Sequence, residues 1–329
     1  MTNFAQLFAS FRNCRVAIIG DVMLDTYWWG HVDRISPEAP VPVVVLKHKE
    51  LRVGGAANVA LNTAALGAIT TMISVVGNDA DGQTLMGLLQ EKGINTSHII
   101  QSDQRVTTNK TRIMSRNQQM MRLDAEITKD IDTSTEDQLL EQVKQVLTTE
   151  KPDILIFEDY NKGVITHRII EAVTALCQQH EVITAVDPKK KNFLAYRGVT
   201  LFKPNLKEVK EGLNLQTDQV DLSSLQAVHQ ALQSHLHHQV SLITLSEKGV
   251  FYQDGEDVRI IPTHIRNIAD VSGAGDTVIA VASLAYAVSR NMLLAAEMAN
   301  IAGGLVCEEV GTAAINRDRL LEECQLLLG

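Results

Sequence analysis

The run Asp270-Val271-Ser272-Gly273-Ala274-Gly275-Asp276-Thr277 passes without a break into the apolar and small residues of 278–288. Small residues permit a sharp turn and let a ligand come close to backbone. The apolar stretch behind them reads as a long helix, so the amides of Gly273, Ala274, Gly275 and Asp276 stand at its N-terminus. There the N–H groups and the helix dipole point the same way, which makes an anion site suited to a transferring phosphoryl group. Asp276, in the same nest, is a candidate general base for a hydroxyl that attacks in line. An N-capping aspartate on a glycine-rich turn is the alternative reading.

Two common nucleotide folds are excluded. Gly20-Asp21-Val22-Met23-Leu24-Asp25 lacks the glycine triplet of a dinucleotide site, and no GxxxxGK[ST] loop occurs.

Outward from the helix, the chain alternates strand and helix. The run 15–20 is apolar on both sides, which suits a strand buried between helical layers. Val53-Gly54-Gly55-Ala56-Ala57-Asn58 opens a small-residue helix through Leu66-Gly67, and 70–76 is a second strand. Helices are expected at 130–147, 166–179, from Leu206, 218–236, 276–288, 292–307 and 317–328. Strands are expected at 153–157, 182–186, 201–202 and 240–245, and a hairpin pairs 251–252 with 258–261 around Asp254-Gly255. Two segments stand apart. Prolines 37, 40 and 42 precede Val43-Val44-Val45-Leu46, the mark of an edge strand. The segment 107–123 is also strand-like and carries Lys110, Arg112, Arg116 and Arg122. Together they form a small separate sheet, a lid or a dimer surface, and strand alternation puts the four basic residues on one face if no bulge intervenes.

Composition bounds the rest. The 329 residues carry a net charge of −9 with 45% apolar residues, enough for a large core. The acidic balance argues against a nucleic-acid partner or a polybasic membrane binder. Cys14, Cys177, Cys307 and Cys324 have no CxxC spacing and read as reduced thiols. No apolar tract is long enough to span a bilayer and no secretory signal opens the chain, so a cytoplasmic location is expected. His235-Leu236-His237-His238 reads as a solvated helix end rather than a metal site.

The glycine pair with Asn58 and Leu66-Gly67, followed in order by 270–277, resembles the two signatures of the ribokinase-like (PfkB) carbohydrate kinases along essentially the full chain. Gly20-Asp21-Val22-Met23-Leu24-Asp25, the stretches 34–44 and 115–119, Asp159-Tyr160-Asn161-Lys162-Gly163, Asp187-Pro188-Lys189 and Asn205-Leu206-Lys207-Glu208 are similar to the D-glycero-β-D-manno-heptose 7-phosphate kinases of that family. The resemblance implies a three-layer α/β/α sandwich, one kinase domain over 1–329, with a β-sheet lid from about 26–50 and 105–124. It implies ATP and Mg²⁺ as cofactors and phosphorylation of the anomeric hydroxyl to the 1,7-bisphosphate. That step leads to nucleotide-activated heptose for lipopolysaccharide. Many relatives carry a second nucleotidyl-transferring domain; no HxGH-type motif marks one here. Lid-to-lid homodimers occur in the family and are expected.

Roles follow residue by residue. Asp25 is the sugar-hydroxyl acceptor that the resemblance implies, and Gly54 and Gly55 let the chain pass close to the ring. Asn58 offers the sugar both a donor and an acceptor. A 7-phosphate needs a basic partner, for which Arg116 stands first, then Lys162, Arg112 and Lys189. Asn205 and Glu208, three apart on a first helical turn, can face one side and hold magnesium through water. Asp270, Thr244, Ser246 and Gly249 line the nucleotide path, and Asn300 is placed near adenine. Lys203 is either a phosphate contact or a surface residue. The alternatives are a kinase of this architecture for another sugar, sugar phosphate or nucleoside, and a catalytically silent ligand-binding module.

Overall fold

The computed structural model describes residues 2–116, 118–215 and 220–329. In chain order its elements are α1 (Phe4–Ser10), β1 (Arg15–Gly20), β2 (Val22–Ile35), β3 (Pro42–Gly55), α2 (Ala56–Ala65), β4 (Ile69–Gly77), α3 (Ala80–Glu91) and β5 (Asn95–Ser102). There follow β6 (Asn109–Ser115), β7 (Gln118–Ala125), α4 (Thr133–Gln145), β8 (Ile154–Glu158), α5 (His167–Gln179), β9 (Ile183–Asp187), β10 (Leu201–Phe202), α6 (Leu206–Gly212) and α7 (Leu222–Leu236). The last third holds β11 (Val240–Thr244), β12 (Val250–Asp254), β13 (Asp257–Ile261), α8 (Ala274–Ser289), α9 (Met292–Val306) and α10 (Arg317–Leu328).

Nine strands form one sheet in the order β13-β12-β11-β10-β9-β8-β1-β4-β5. From β5 to β11 neighbours run parallel, and the β12–β13 hairpin closes one edge antiparallel. Side-chain alternation splits each central strand between two cores. Val16 and Ile18 of β1 pack with α1–α3 and α8–α10, whereas Ala17 and Ile19 pack with α4–α7. This explains why 15–20 is apolar throughout: both faces are covered by helices. The expected three-layer α/β/α sandwich is the observed architecture. Asp132, Thr166 and Asn291 cap α4, α5 and α9 through side-chain oxygens, which fixes where those helices start. The expected start of α7 at Asp218 lies outside the described residues; Asp221 caps the helix seen.

The second sheet has the order β3-β2-β6-β7, with β3 at an edge as its prolines require. Gly54 and Gly55 belong to the end of β3, so α2 begins only at Ala56. The single basic face expected here is broken. The β6–β7 register shifts between Ile113 and Met114, and Arg116 sits in the turn after β6 at φ 48°, exposed. Asn117, within the 115–119 stretch, lies outside the described residues.

One feature of α7 also departs from expectation. His235 and His237 are exposed, but His238 is 1% exposed. His237 takes a left-handed conformation that ends α7 and turns the chain inward. The His238 Nε2 and His229 Nδ1 atoms both meet Ser241 Oγ, at 2.6 and 2.9 Å. Burial and the neighbouring His229 push His238 down to about 4, and burial also lowers His229. Both rings therefore fold neutral, while the unfolded chain takes up their protons below about pH 6.5. Stability should fall as pH drops from about 6.5 toward 4. Thermal midpoints at pH 7 and pH 5 check this: His238→Gln should show a visibly smaller drop than the wild type, and equal drops would refute it.

Candidate active site

The carboxyl ends of β1, β8, β9, β10 and β11 open on one edge of the large sheet, where ligands of open α/β folds bind. The N-terminus of α8 points into this edge. Gly273, its N-cap, has φ 80°, a conformation that favours glycine. A Cβ there would also stand 2.8 Å from Asn58 Nδ2. The turn thus needs glycine twice, for its backbone and for the approach of Asn58.

Asp276, in the first turn of α8, is 3% exposed. Asn58 Nδ2 donates to its Oδ2 at 2.8 Å, and the Tyr160 hydroxyl donates to its Oδ1 at 2.6 Å. Burial pushes the carboxyl up to about 6 against these two donors, which favour the charged form. At neutral pH it is largely ionised and can accept a proton. The capping reading is set aside, because its side chain accepts from Asn58 and Tyr160 rather than from helix amides. Asn58 meets the Asp276 carboxylate instead of standing as a free helix cap. Tyr160 is a residue that sequence reasoning left without a role; its place beside Asp159 in the quoted motif was the available signal.

Behind Asp276 lies a buried charge cluster. Glu158, Asp187 and Asp276 each offer an oxygen, all within 4.8 Å of one another. Lys203 Nζ reaches Asp187 Oδ2 at 2.7 Å, and Lys189 Nζ reaches Asp187 Oδ1 at 3.0 Å and Glu208 Oε1 at 2.8 Å. Lys189 also lies 5.2 Å from the Tyr160 ring centre. Lys203 is 2% exposed, so the surface reading of that residue is overturned. Gly275 packs over this pair, with a notional Cβ 3.7 Å from both Asp187 Oδ2 and Lys203 Nζ. Glu158 is fully buried, and neither of its oxygens has a hydrogen-bond partner. Burial and the charges of Asp187 and Asp276 hold its carboxyl well above the usual range.

Asn205 and Glu208 do face one side, but as a capping box. Asn205 Oδ1 accepts from the Glu208 amide, Glu208 Oε2 accepts from the Asn205 amide, and Glu208 Oε1 takes Lys189. Their oxygens are engaged by protein donors. Among the described residues, Glu158, Asp187 and Asp276 form a second oxygen set, in which only the Glu158 oxygens lack a partner; those of Asp187 and Asp276 are, like those of Glu208, engaged by protein donors.

On the small sheet, Asp25 is 3% exposed and pairs with Arg112 Nη1. Gly54 packs against the Asp25 carboxylate, leaving no room for a side chain. Gly55 follows it at the junction with α2. Lys162 Nζ pairs with Glu126 at 2.7 Å. Lys110 is held below the usual lysine range by burial and by the Lys162 charge. Of the expected phosphate partners, Arg112, Lys162 and Lys189 are thus engaged by carboxylates, and Arg116 stands apart in its exposed turn.

Toward the other end, Asp270 Oδ1 accepts from the Ser272 amide and hydroxyl, and its Oδ2 accepts from the Gly311 amide. Thr244 ends β11 and bridges to Asn205. Ser246 and Gly249 bound the following turn, both at positive φ. Asn300 Nδ2 donates to Pro262 O at 2.8 Å, anchoring the segment after β13 to α9.

Known proteins resemble the chain in sequence and in fold. The model of the pfkB family carbohydrate kinases matches residues 14–319. A protein of Syntrophotalea carbinolica named bifunctional protein HldE is 38% identical over 325 residues, 98% of this chain and 65% of its own. One of Magnetococcus marinus with the same name is 40% identical over 314 residues, 94% of this chain and 64% of its own. The chain therefore spans just under two thirds of the length of these relatives. Among solved structures, phosphofructokinase-2 from Escherichia coli in complex with potassium superposes with a TM-score of 0.80 at 19% identity, covering 96% of this chain and 99% of that one. Arabidopsis thaliana ribokinase complexed with ribose and ATP gives 0.73 at 16% identity, covering 94% and 99%. At these identities the superpositions speak for the fold.

Gly273→Ala should displace Asn58 from Asp276 and strain the turn. Turnover should fall about a hundredfold, as misplacement by an ångström does, with the circular dichroism spectrum retained. Near wild-type turnover in a folded variant would show that the Asn58–Asp276 contact is dispensable.

Proposed function

The chain belongs to the pfkB family of carbohydrate kinases, and from that membership we propose that it transfers the γ-phosphoryl group of ATP to the anomeric C1 hydroxyl of D-glycero-β-D-manno-heptose 7-phosphate. The product is the 1,7-bisphosphate, on the route to nucleotide-activated heptose for lipopolysaccharide. The observation that carries the reading is the buried Asp276, poised near pH 6 beside the amides of Gly273, Ala274 and Gly275.

In this reading Asp276 accepts the C1 hydroxyl proton while the hydroxyl oxygen bonds to the γ-phosphorus and the bond from that phosphorus to the bridging oxygen of ADP breaks. The helix amides face the charge that develops on the phosphoryl oxygens. Asn58 and Tyr160 hold the carboxylate in place. Glu158, whose oxygens have no partner, with Asn205 and Glu208 acting through water, would hold Mg²⁺, which supplies charge neutralisation to the phosphates when bound. Lys189 and Lys203 already offset the negative charge of Asp187. Asp25, fixed by Arg112, takes sugar hydroxyls, and the small sheet serves as the lid that excludes water. For the 7-phosphate, Lys110 and Lys162 are the favoured pair: burial and the Lys162 charge hold Lys110 below the usual lysine range, and an anion beside both would relieve that, with Lys162 turning from Glu126 toward it. Arg116 joins them only if its turn folds inward over the sugar. Sequence similarity to relatives named HldE supports a heptose acceptor over ribose or a nucleoside.

The small sheet also supports a homodimer. Val45, Leu46, Met120, Met121 and Leu123 are all more than 40% exposed on it, and scattered single apolar residues do not explain such a group.

An acceptor panel tests the substrate: heptose 7-phosphate, the unphosphorylated heptose, ribose, fructose 6-phosphate and adenosine, with phosphorus NMR of the product. Turnover should be confined to heptose 7-phosphate with a new anomeric phosphate signal; preference for ribose or adenosine would reject the assignment. Asp276→Asn should abolish turnover and keep ATP binding, and surviving turnover would remove the base. Sedimentation should give a dimer that Met121→Glu converts toward monomer; a wild-type monomer would exclude pairing through this sheet.

A further inference from the structure

The two ends of the site are joined by a side chain that neither substrate role requires. Arg52 lies directly opposite Asp25 in the β2–β3 ladder, and Tyr27 lies opposite Arg112 in the β2–β6 ladder. These four side chains therefore share one face of the small sheet. Arg112 pairs with Asp25, and the Tyr27 ring sits between two guanidinium groups, 5.1 Å from Arg52 Cζ and 5.2 Å from Arg112 Cζ. Glu50 Oε1 accepts from Arg52 Nε at 2.7 Å, which fixes the plane of the guanidinium.

From there Arg52 leaves its own sheet. Its Nη1 donates to Val310 O at 2.7 Å and to Thr312 O at 3.1 Å, in the loop between α9 and α10. Gly311 lies between these carbonyls at φ 73°, and a Cβ there would stand 2.6 Å from Arg52 Nη1 and 2.9 Å from the Tyr27 hydroxyl. The fit is made by the absence of a side chain. The Gly311 amide donates to Asp270 Oδ2 at 2.9 Å, and Asp270 Oδ1 holds Ser272. Thr312 Cγ2 lies 3.3 Å from the Cβ position of Gly273. The path from Asp25 to the glycine turn of α8 is thus continuous through packed and hydrogen-bonded groups.

We propose that Arg52 is a positioning residue, a strut through which the seat of the sugar and the anion turn set each other's geometry, so that sugar phosphate and nucleotide bind cooperatively. The loop carbonyls take their place from the guanidinium, and Gly311 passes that place to Asp270 and the turn. Because coupling of binding free energies is reciprocal, each ligand raises the affinity for the other by one factor. The cooperative part of this inference rests on the sugar kinase reading above; the strut itself does not.

The test has two arms on the full chain. Calorimetry measures the affinity for a non-hydrolysable ATP analogue with and without heptose 7-phosphate, in the wild type, Arg52→Met and Arg52→Lys. The wild type should show coupling of about fivefold or more; Arg52→Met should bring the ratio within about twofold of unity, and Arg52→Lys should restore part of it. Equal coupling in wild type and Arg52→Met overturns the proposal. The second arm, without ligand, follows hydrogen exchange of the Gly311 amide, which should speed at least tenfold in Arg52→Met, about 1.4 kcal/mol of lost protection. Unchanged exchange overturns the strut. If the wild type fails to bind heptose 7-phosphate, the substrate assignment falls, and the exchange arm alone decides whether Arg52 holds the loop.

Discussion

Three carboxyl groups buried within 4.8 Å of one another are the constraint that organises this protein. Isolated buried charges are unfavourable by several kcal/mol each, so the surroundings must answer them. The fold does so from four directions. Lys189 and Lys203 come from segments after β9 and β10, Tyr160 from the loop after β8, Asn58 from α2, and the helix dipole from α8. Every one of these is delivered by the carboxyl end of a parallel strand or by the helix that faces it. The parallel sheet, the crossing helices and the glycine turn are thus parts of one electrostatic arrangement.

The same arrangement separates chemical tasks. Asp276 is poised near pH 6 because burial and the Asp187 charge oppose two hydrogen-bond donors. Glu158, with no donor at all, is pushed further toward its neutral form. Two carboxyl groups a few ångströms apart therefore differ in proton affinity, the pattern expected where one of a pair is to accept a proton. Asp187, with two lysines on its oxygens, stays below its ordinary value. Differences of partner, rather than residue type, assign the roles.

Much of this was legible in the sequence, for identifiable reasons. The run 270–288 gave both the turn and the buried helix because small residues and continuous apolarity leave few other structures open. Central strands such as β1 and β8 were legible because both faces are covered. The strand β5 and helix α3 were not anticipated: β5 is an edge strand whose polar residues interrupt any apolar run, and α3 is a polar helix with a thin buried stripe. Asp276, Asn58 and the glycines, singled out by local pattern, do stand together in the structure. Tyr160, Glu158 and the buried role of Lys203 were not legible, since their meaning comes from contacts across the sheet between residues far apart in sequence. Asn205 and Glu208 share a face, as their spacing predicts, but the same spacing is that of a capping box, and the Lys189 contact that engages the second Glu208 oxygen comes from a residue distant in sequence. Arg116 failed as a strand residue because a register shift and a left-handed turn break the period of two.

In the proposed reaction Asp276 faces the acceptor hydroxyl beside the α8 amides. A crystal structure with a non-hydrolysable ATP analogue and heptose 7-phosphate tests it most directly. The C1 hydroxyl oxygen should lie within about 3 Å of the Asp276 carboxylate, with the γ-phosphate against the amides of Gly273 to Asp276. A sugar seated with no hydroxyl facing Asp276, or a nucleotide whose phosphates avoid the turn, would contradict it.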